Sequence, residues 1–194
     1  MSSTVSRVGL LTGTFDPVHL GHVSMAQAAL KACELREVWF LVNPSPGHKQ
    51  GVSELSDRLC MVRLAIAEVP NLREGEPGAT EPSRHTMADF EMLMARHPKT
   101  EFVFIVGTDV LAAMSTWPEQ PAEVVAHSVR FAAVQRPGVA MEARADLKVV
   151  WFKLSEHEEA SSWRVRQEVQ AGMVPTALNS SVYQYILEKG LYKA

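Results

Sequence analysis

The stretch "VGLLTGTFDPVHLGH", Val8 to His22, decides how the chain is read. It opens on a short apolar run with the composition of a buried strand. It then crowds Gly13, Pro17, His19, Gly21 and His22 into the place where that strand must end and a helix begin. Gly13 lets the backbone approach a ligand closely. The amides of Thr14 and Phe15 can face an anion there, and Pro17 stiffens the turn. Gly21 is expected to open the helix, with His19 just before it and His22 in its first turn. Orphan N–H groups and the helix dipole favour negative charge at that position and disfavour isolated cations. Paired imidazoles make sense there when a polyphosphate sits between them and favours their protonated form. A lone HxGH often marks nothing more than a turn with surface histidines. The whole run, set behind a buried strand, is far more specific. It reads as a grip for nucleotide phosphates.

Working outward, further apolar runs occur at Val38–Val42, Phe102–Val106, Val129–Val134 and Val149–Phe152. "EVWFLV" and "EFVFIV" have apolar residues on both faces, as strands buried on both sides do. Helical spacing separates them: Val23, Ala26, Leu30 and Cys33; then Leu55, Leu59, Val62, Ile66 and Val69; then Met87, Phe90 and Met94. A last helix is expected over Asn179–Leu187. Met87, Met92 and Met94 read as core filler. "NPSPGHKQG" and "PNLREGEPGATEPS" are rich in Pro and Gly and read as loops. Alternating strands and helices predict an α/β fold, a doubly wound parallel sheet with ligands at the carboxyl ends of the strands.

The chain has 194 residues, 46% apolar and 21% charged, which suits one soluble domain with a sizeable core. Residues 1–194 are expected to form that single domain, with a helical part from about residue 155. No apolar run is long enough to span a bilayer. "MSSTVSR" at the start lacks the apolar segment of a signal peptide, so a cytoplasmic location is expected. Cys33 and Cys60 lie inside apolar helical patterns and read as buried thiols. No third ligand is spaced with them for zinc, and no protein-built metal site is expected. A net charge of −3 argues against a nucleic-acid binder, so an anionic ligand must be held by local charges and backbone groups.

"GTFDPVHLGH" resembles the HxGH nucleotide-binding motif of the nucleotidylyltransferase superfamily. With histidine at position 19 it is similar to nicotinate or nicotinamide mononucleotide adenylyltransferases; pantetheine-phosphate adenylyltransferases carry threonine there. Class I aminoacyl-tRNA synthetases share a related motif, but this chain is too short and has no KMSKS-like segment. Other stretches agree in order along the chain. "PGHKQ" looks like the family's PHK loop, with Lys49 as a phosphate or ribose contact. "SRHTMADF" resembles "SYTIDTL" loosely and aligns Thr86 with a residue near the pyridine substituent, although His85, Ala88 and Asp89 depart from the pattern. "VGTDVLAAMSTW" resembles the "GxDxL…W" stretch: Gly107 and Asp109 fall at a strand end beside the ribose, and Trp117 stacks on the pyridine ring. "RPG" places Arg136 after a strand. "SSWRVR" is similar to "ISSTxIR", so that Ser161, Ser162 and Arg166 clamp the outer phosphates. There Trp163 replaces a threonine and Ala160 an isoleucine. The upstream acids Glu156, Glu158 and Glu159 must point away or neutralise Arg164.

The resemblance implies a Rossmann-like nucleotidylyltransferase fold and adenylyl transfer from ATP to a pyridine mononucleotide, giving the dinucleotide and pyrophosphate. It implies His19, His22 and Arg166 as catalytic groups. Gly13, Thr14, Phe15, Gly21, Gly107, Asp109, Ser161 and Ser162 join them around ATP. Lys49, Thr86, Trp117 and Arg136 fall on the acceptor side. Mg2+ is expected to arrive on the ATP phosphates, keeping several waters; Asp16 either reaches it through water or braces the turn. Three activities stay open at this point: transfer to the nicotinate or nicotinamide acceptor, transfer to another acceptor such as pantetheine phosphate, and nucleotide binding without transfer. The residues also leave homo-oligomerisation open. A chain of this length favours the nicotinate acceptor.

Overall fold

The computed structural model describes residues 6–44, 46, 50–75, 87–108, 111, 130–135, 147–157 and 159–193, and every structural statement below concerns these. The chain enters β1 (Ser6–Gly13) and α1 (Leu20–Ala32), then β2 (Glu37–Val42), α2 (Leu55–Ile66) and β3 (Leu72–Glu74). It continues through α3 (Met87–Arg96), β4 (Thr100–Gly107), β5 (Arg130–Val134) and β6 (Lys148–Phe152), and ends in α4 (Ser162–Gln170) and α5 (Ser180–Lys189). The strands form one parallel sheet in the order β3-β2-β1-β4-β5-β6. The order reverses between β1 and β4, and a doubly wound sheet opens a crevice for ligands at that switch point.

The central strands are sequestered because both faces are covered. Val38, Phe40 and Val42 of β2 join the core beneath α1, α2, α4 and α5, while Trp39 and Leu41 join the core on the other face with Leu93 of α3. The alternation continues in β4, where Val103 and Ile105 face one core and Phe102 and Val106 the other. No helix among the described residues is long and apolar enough to cross a membrane.

Several expectations are corrected. β3 lies inside a segment read as loop; it pairs Val38 with Leu72 and Phe40 with Glu74. Three residues flanked by Pro and Gly show no periodicity, and only pairing with β2 makes them a strand. The buried face of α2 runs through Arg58, Met61, Val62, Ala65 and Ile66, leaving Leu55, Leu59 and Val69 half-buried. Along α1 the innermost residues are Gly21, Val23, Ala26 and Ala29, and Leu30 is half-buried. Met92 is exposed rather than core and accepts a contact from Arg96 Nη2 at 3.3 Å. Both cysteines are free thiols, but only Cys33 is buried, and burial raises its pKa.

Candidate active site

The carboxyl end of β1 leads into a turn in which the carbonyls of Gly13, Thr14, Asp16 and Pro17 are held. Gly13 O accepts from Asn43 N at 2.8 Å, prolonging the β1–β2 ladder. Thr14 O accepts from Arg58 Nη1 at 3.0 Å. Because the peptide is planar and trans, this points the Phe15 N–H away from Arg58. Phe15 takes a positive φ of 51° with its ring buried, a conformation an ordinary side chain adopts only when its surroundings impose it. Its ring occupies the space beside Gly13: a Cβ there would lie 2.9 Å from it. The glycine therefore makes room for Phe15, and Gly13 also borders the cavity described below.

α1 begins at Leu20, one residue earlier than expected, with His19 as its N-cap. The backbone N–H of His19 donates to Nδ1 of His22 at 3.2 Å. An Nδ1 that accepts leaves the ring proton on Nε2. The two imidazoles stack with centroids 3.7 Å apart and planes 29° from parallel, and the Phe15 ring meets His22 edge-on at 5.0 Å. This revises the expected picture of a polyphosphate between two charged rings. Rings in van der Waals contact leave no room between them, and two stacked cations would repel. Gly21 also serves packing: a Cβ there would come within 2.9 Å of His157 O. Its absence lets the segment before α4 lie against the first turn of α1.

That approach brings the last motif to the first. Ser161 caps α4, its Oγ accepting from Arg164 N at 3.3 Å. Ser162 Oγ donates to Pro17 O at 2.8 Å, and Arg166 Nη1 donates to Asp16 O at 2.6 Å. Residues about 150 positions apart are thereby bolted together around a cavity of about 880 Å³, the size of a nucleotide-scale site. Thr14, His19, His22, Ser161, Ser162 and Arg166 all line it. Gly13, Phe15 and Gly21 do so as well, and so does Trp163. Gly107 ends β4 beside β5 and is not among the described residues lining the cavity. Lys49, Thr86, Asp109, Trp117 and Arg136 lie outside the described residues. Arg164 pairs with Glu168 at 3.1 Å. His157 and Glu159 are exposed and reach the rim, where water screens the charge.

Two residues that sequence reasoning missed hold the turn in place. Arg58 is 2% exposed and donates to four carbonyls: Ser53, Thr14, Asn43 and Pro44, at 2.9, 3.0, 2.6 and 3.1 Å. Burial lowers its pKa, and the charges of Asp16, Tyr192 and Glu54 act the other way. Its signal was legible in principle, as a charged residue in the apolar stripe of α2. Tyr192, near the end of the chain, donates its hydroxyl to Asp16 Oδ1 at 2.6 Å. Burial, and then that bond, push the phenol above the ordinary tyrosine range. Asp16 Oδ2 accepts from Ser53 N at 3.4 Å, so this buried carboxylate braces the turn. Nothing in the sequence around Tyr192 points to such a role.

Known proteins with these features are numerous. The Cytidylyltransferase-like family model matches residues 10–168. A relative from Geobacillus thermodenitrificans named "Probable nicotinate-nucleotide adenylyltransferase" is 36% identical, the match covering 98% of this chain and 88% of that one. A relative of the same name from Halalkalibacterium halodurans is 32% identical over 97% of this chain and 92% of its own. The solved structure "Plasmodium falciparum nicotinic acid mononucleotide adenylyltransferase complexed with NaAD" superposes with a TM-score of 0.81 over 96% of this chain and 97% of that one. At 16% identity it bears on the fold alone. Sheet order, histidine-capped helix and sequence kinship agree: the chain belongs to the cytidylyltransferase-like family, among the nicotinate-nucleotide adenylyltransferases.

Proposed function

We propose that this protein transfers the adenylyl group of ATP to nicotinate mononucleotide, forming nicotinate adenine dinucleotide and pyrophosphate in NAD biosynthesis. The observation that carries the reading is the meeting of the histidine-capped α1 and the serine-capped α4 around one cavity, joined through Ser162–Pro17 and Arg166–Asp16. Kinship with proteins named for this activity supports it.

The chemistry asks little of the chain beyond placement and charge. An oxygen of the mononucleotide phosphate attacks Pα of ATP; the new P–O bond forms as the bond from Pα to the bridging oxygen breaks, and pyrophosphate leaves with that electron pair. A phosphate monoester loses its second proton at about pH 6, so the nucleophile is already charged at neutral pH and needs no base. What remains is to align the reactants and to stabilise charge as it moves. His22, with its proton on Nε2, donates to the α-phosphate in the transition state. His19 stacks on it and joins in binding the phosphates. Arg166 and the amides at the start of α4 hold the β- and γ-phosphates, and the Phe15 N–H adds a further donor. Lys49, Thr86, Trp117 and Arg136 serve the acceptor. Asp109, with Gly107, takes the ribose side.

Magnesium belongs to this reading as part of the Mg·ATP substrate. Both oxygens of Asp16 are engaged, by Tyr192 and Ser53. No group of three or more His, Cys, Asp or Glu that could hold a metal occurs among the described residues. The cation is carried on phosphate oxygens, its natural ligands.

The test is to supply Mg·ATP with nicotinate mononucleotide, nicotinamide mononucleotide or phosphopantetheine and to measure pyrophosphate. Fastest release with the nicotinate acceptor supports the proposal. Release only with phosphopantetheine, or ATP binding with no release in any mixture, overturns it.

A further inference from the structure

Trp163 is 65% exposed, and it lines the phosphate-side cavity. The other described tryptophans are Trp39, which is buried, and Trp151, which packs partly against the second core. An indole left in water at the edge of a cavity forgoes a large apolar burial, which a flat ligand could restore. Its location is well defined. Trp163 immediately follows Ser162, the residue bonded to Pro17 O, and precedes Arg166 by one turn, so that the indole and the guanidinium share a helix face. Both border the same cavity, whose wall includes the apolar side chains of Met25, Val134 and Leu154.

The face of an indole carries negative electrostatic potential. It repels phosphate oxygens and attracts the face of a heteroaromatic ring. A nucleotide whose outer phosphates lie on Arg166 and the start of α4 therefore has one part suited to Trp163, its base. We infer that Trp163 is a stacking platform for the purine of ATP, a contact that sets affinity for the adenylyl donor and does not act on the acceptor. The inference rests on the adenylyltransferase reading above. It also gives a purpose to the tryptophan that stands where the resembling motif has threonine.

The experiment compares wild type, Trp163→Phe and Trp163→Thr by steady-state pyrophosphate release and by intrinsic fluorescence during titration with ATP. Such an exposed side chain can be replaced without loss of the fold, and unchanged melting temperatures will verify this. Base–aromatic stacking is worth about 1–3 kcal/mol, so Trp163→Thr is expected to raise KM for ATP about tenfold. Turnover and KM for nicotinate mononucleotide should stay within about twofold. Trp163→Phe should recover most of the ATP affinity while losing most of the fluorescence response to ATP. An unchanged KM for ATP in Trp163→Thr overturns the inference. A rise confined to KM for the mononucleotide, or a full fluorescence response in Trp163→Phe, does the same. If the wild type releases no pyrophosphate with any acceptor, the proposed function fails, and the ATP titration still decides whether Trp163 meets the nucleotide.

Discussion

At the amino ends of the strands, charge is answered by charge. Arg7 of β1 bonds Glu101 of β4 at 3.0 Å and reaches Glu34 at 3.5 Å, while Arg130 of β5 closes on the same Glu101 at 2.6 Å. At the carboxyl end of β1 the donors turn instead to backbone carbonyls and a cavity. Arg58 and Arg166 hold carbonyls of the loops, and Nδ1 of His22 accepts from the His19 N–H. Both ends belong to the same sheet and carry similar residue types. They differ in what closes the circuit. At the amino end the Arg7, Glu34, Glu101 and Arg130 charges answer one another. The carboxyl end of β1 holds its backbone with Arg58 and Arg166 beside the cavity. A doubly wound sheet favours this asymmetry, because its loops and helix N-termini gather at the carboxyl side.

The contrast can be broken most sharply at Arg58. Arg58→Met would leave the carbonyls of Thr14, Asn43, Pro44 and Ser53 without their shared donor. The expected loss is about 3–5 kcal/mol of stability, read from denaturant unfolding, with activity falling alongside. A variant that unfolds like wild type would show that the guanidinium is dispensable to the turn. His22→Ala tests the ligand-facing side of the same end. Turnover should drop about 10²–10³-fold, as for one lost transition-state donor, with the melting temperature nearly unchanged. Comparable turnover in purified His22→Ala would remove the ring from the mechanism. The smallest effect is expected at the amino end. Arg7, Glu101 and Arg130 keep 35%, 28% and 46% of their side chains exposed, so solvent screens their pairing. Glu101→Gln should cost less than about 1 kcal/mol and leave turnover unaltered. A large kinetic defect there would mean that the two ends are coupled.

The particular residues explain which parts of this architecture were legible. Val38–Val42 and Phe102–Val106 announced buried strands because apolar side chains fill both faces, a pattern set by nearest neighbours. β3 made no such announcement, since a three-residue edge strand exists only by pairing with β2. At the site, the histidines and the Ser161–Arg166 run were visible as motifs. The stacking of His19 on His22, which excludes a phosphate from between them, follows from rotamers that no spacing rule specifies. Arg58 was hidden inside a helix read for its leucines, and Tyr192 lay in a tail without pattern. Both act through hydrogen bonds to residues remote in the chain, and such bonds leave no local trace.

By itself the sequence determined the alternation of strands and helices, the place of the two-histidine motif at the first strand-to-helix junction, and the kinship of its motifs. These depend on local periodicity, turn chemistry and residue type. Only the tertiary structure decided that α4 docks on the β1–α1 turn through Ser162 and Arg166, that Gly21 makes room for His157 O, and that Asp16 serves Tyr192 and Ser53. Those outcomes depend on which distant groups close packing brings within hydrogen-bond reach, and that is settled only when the whole sheet has formed.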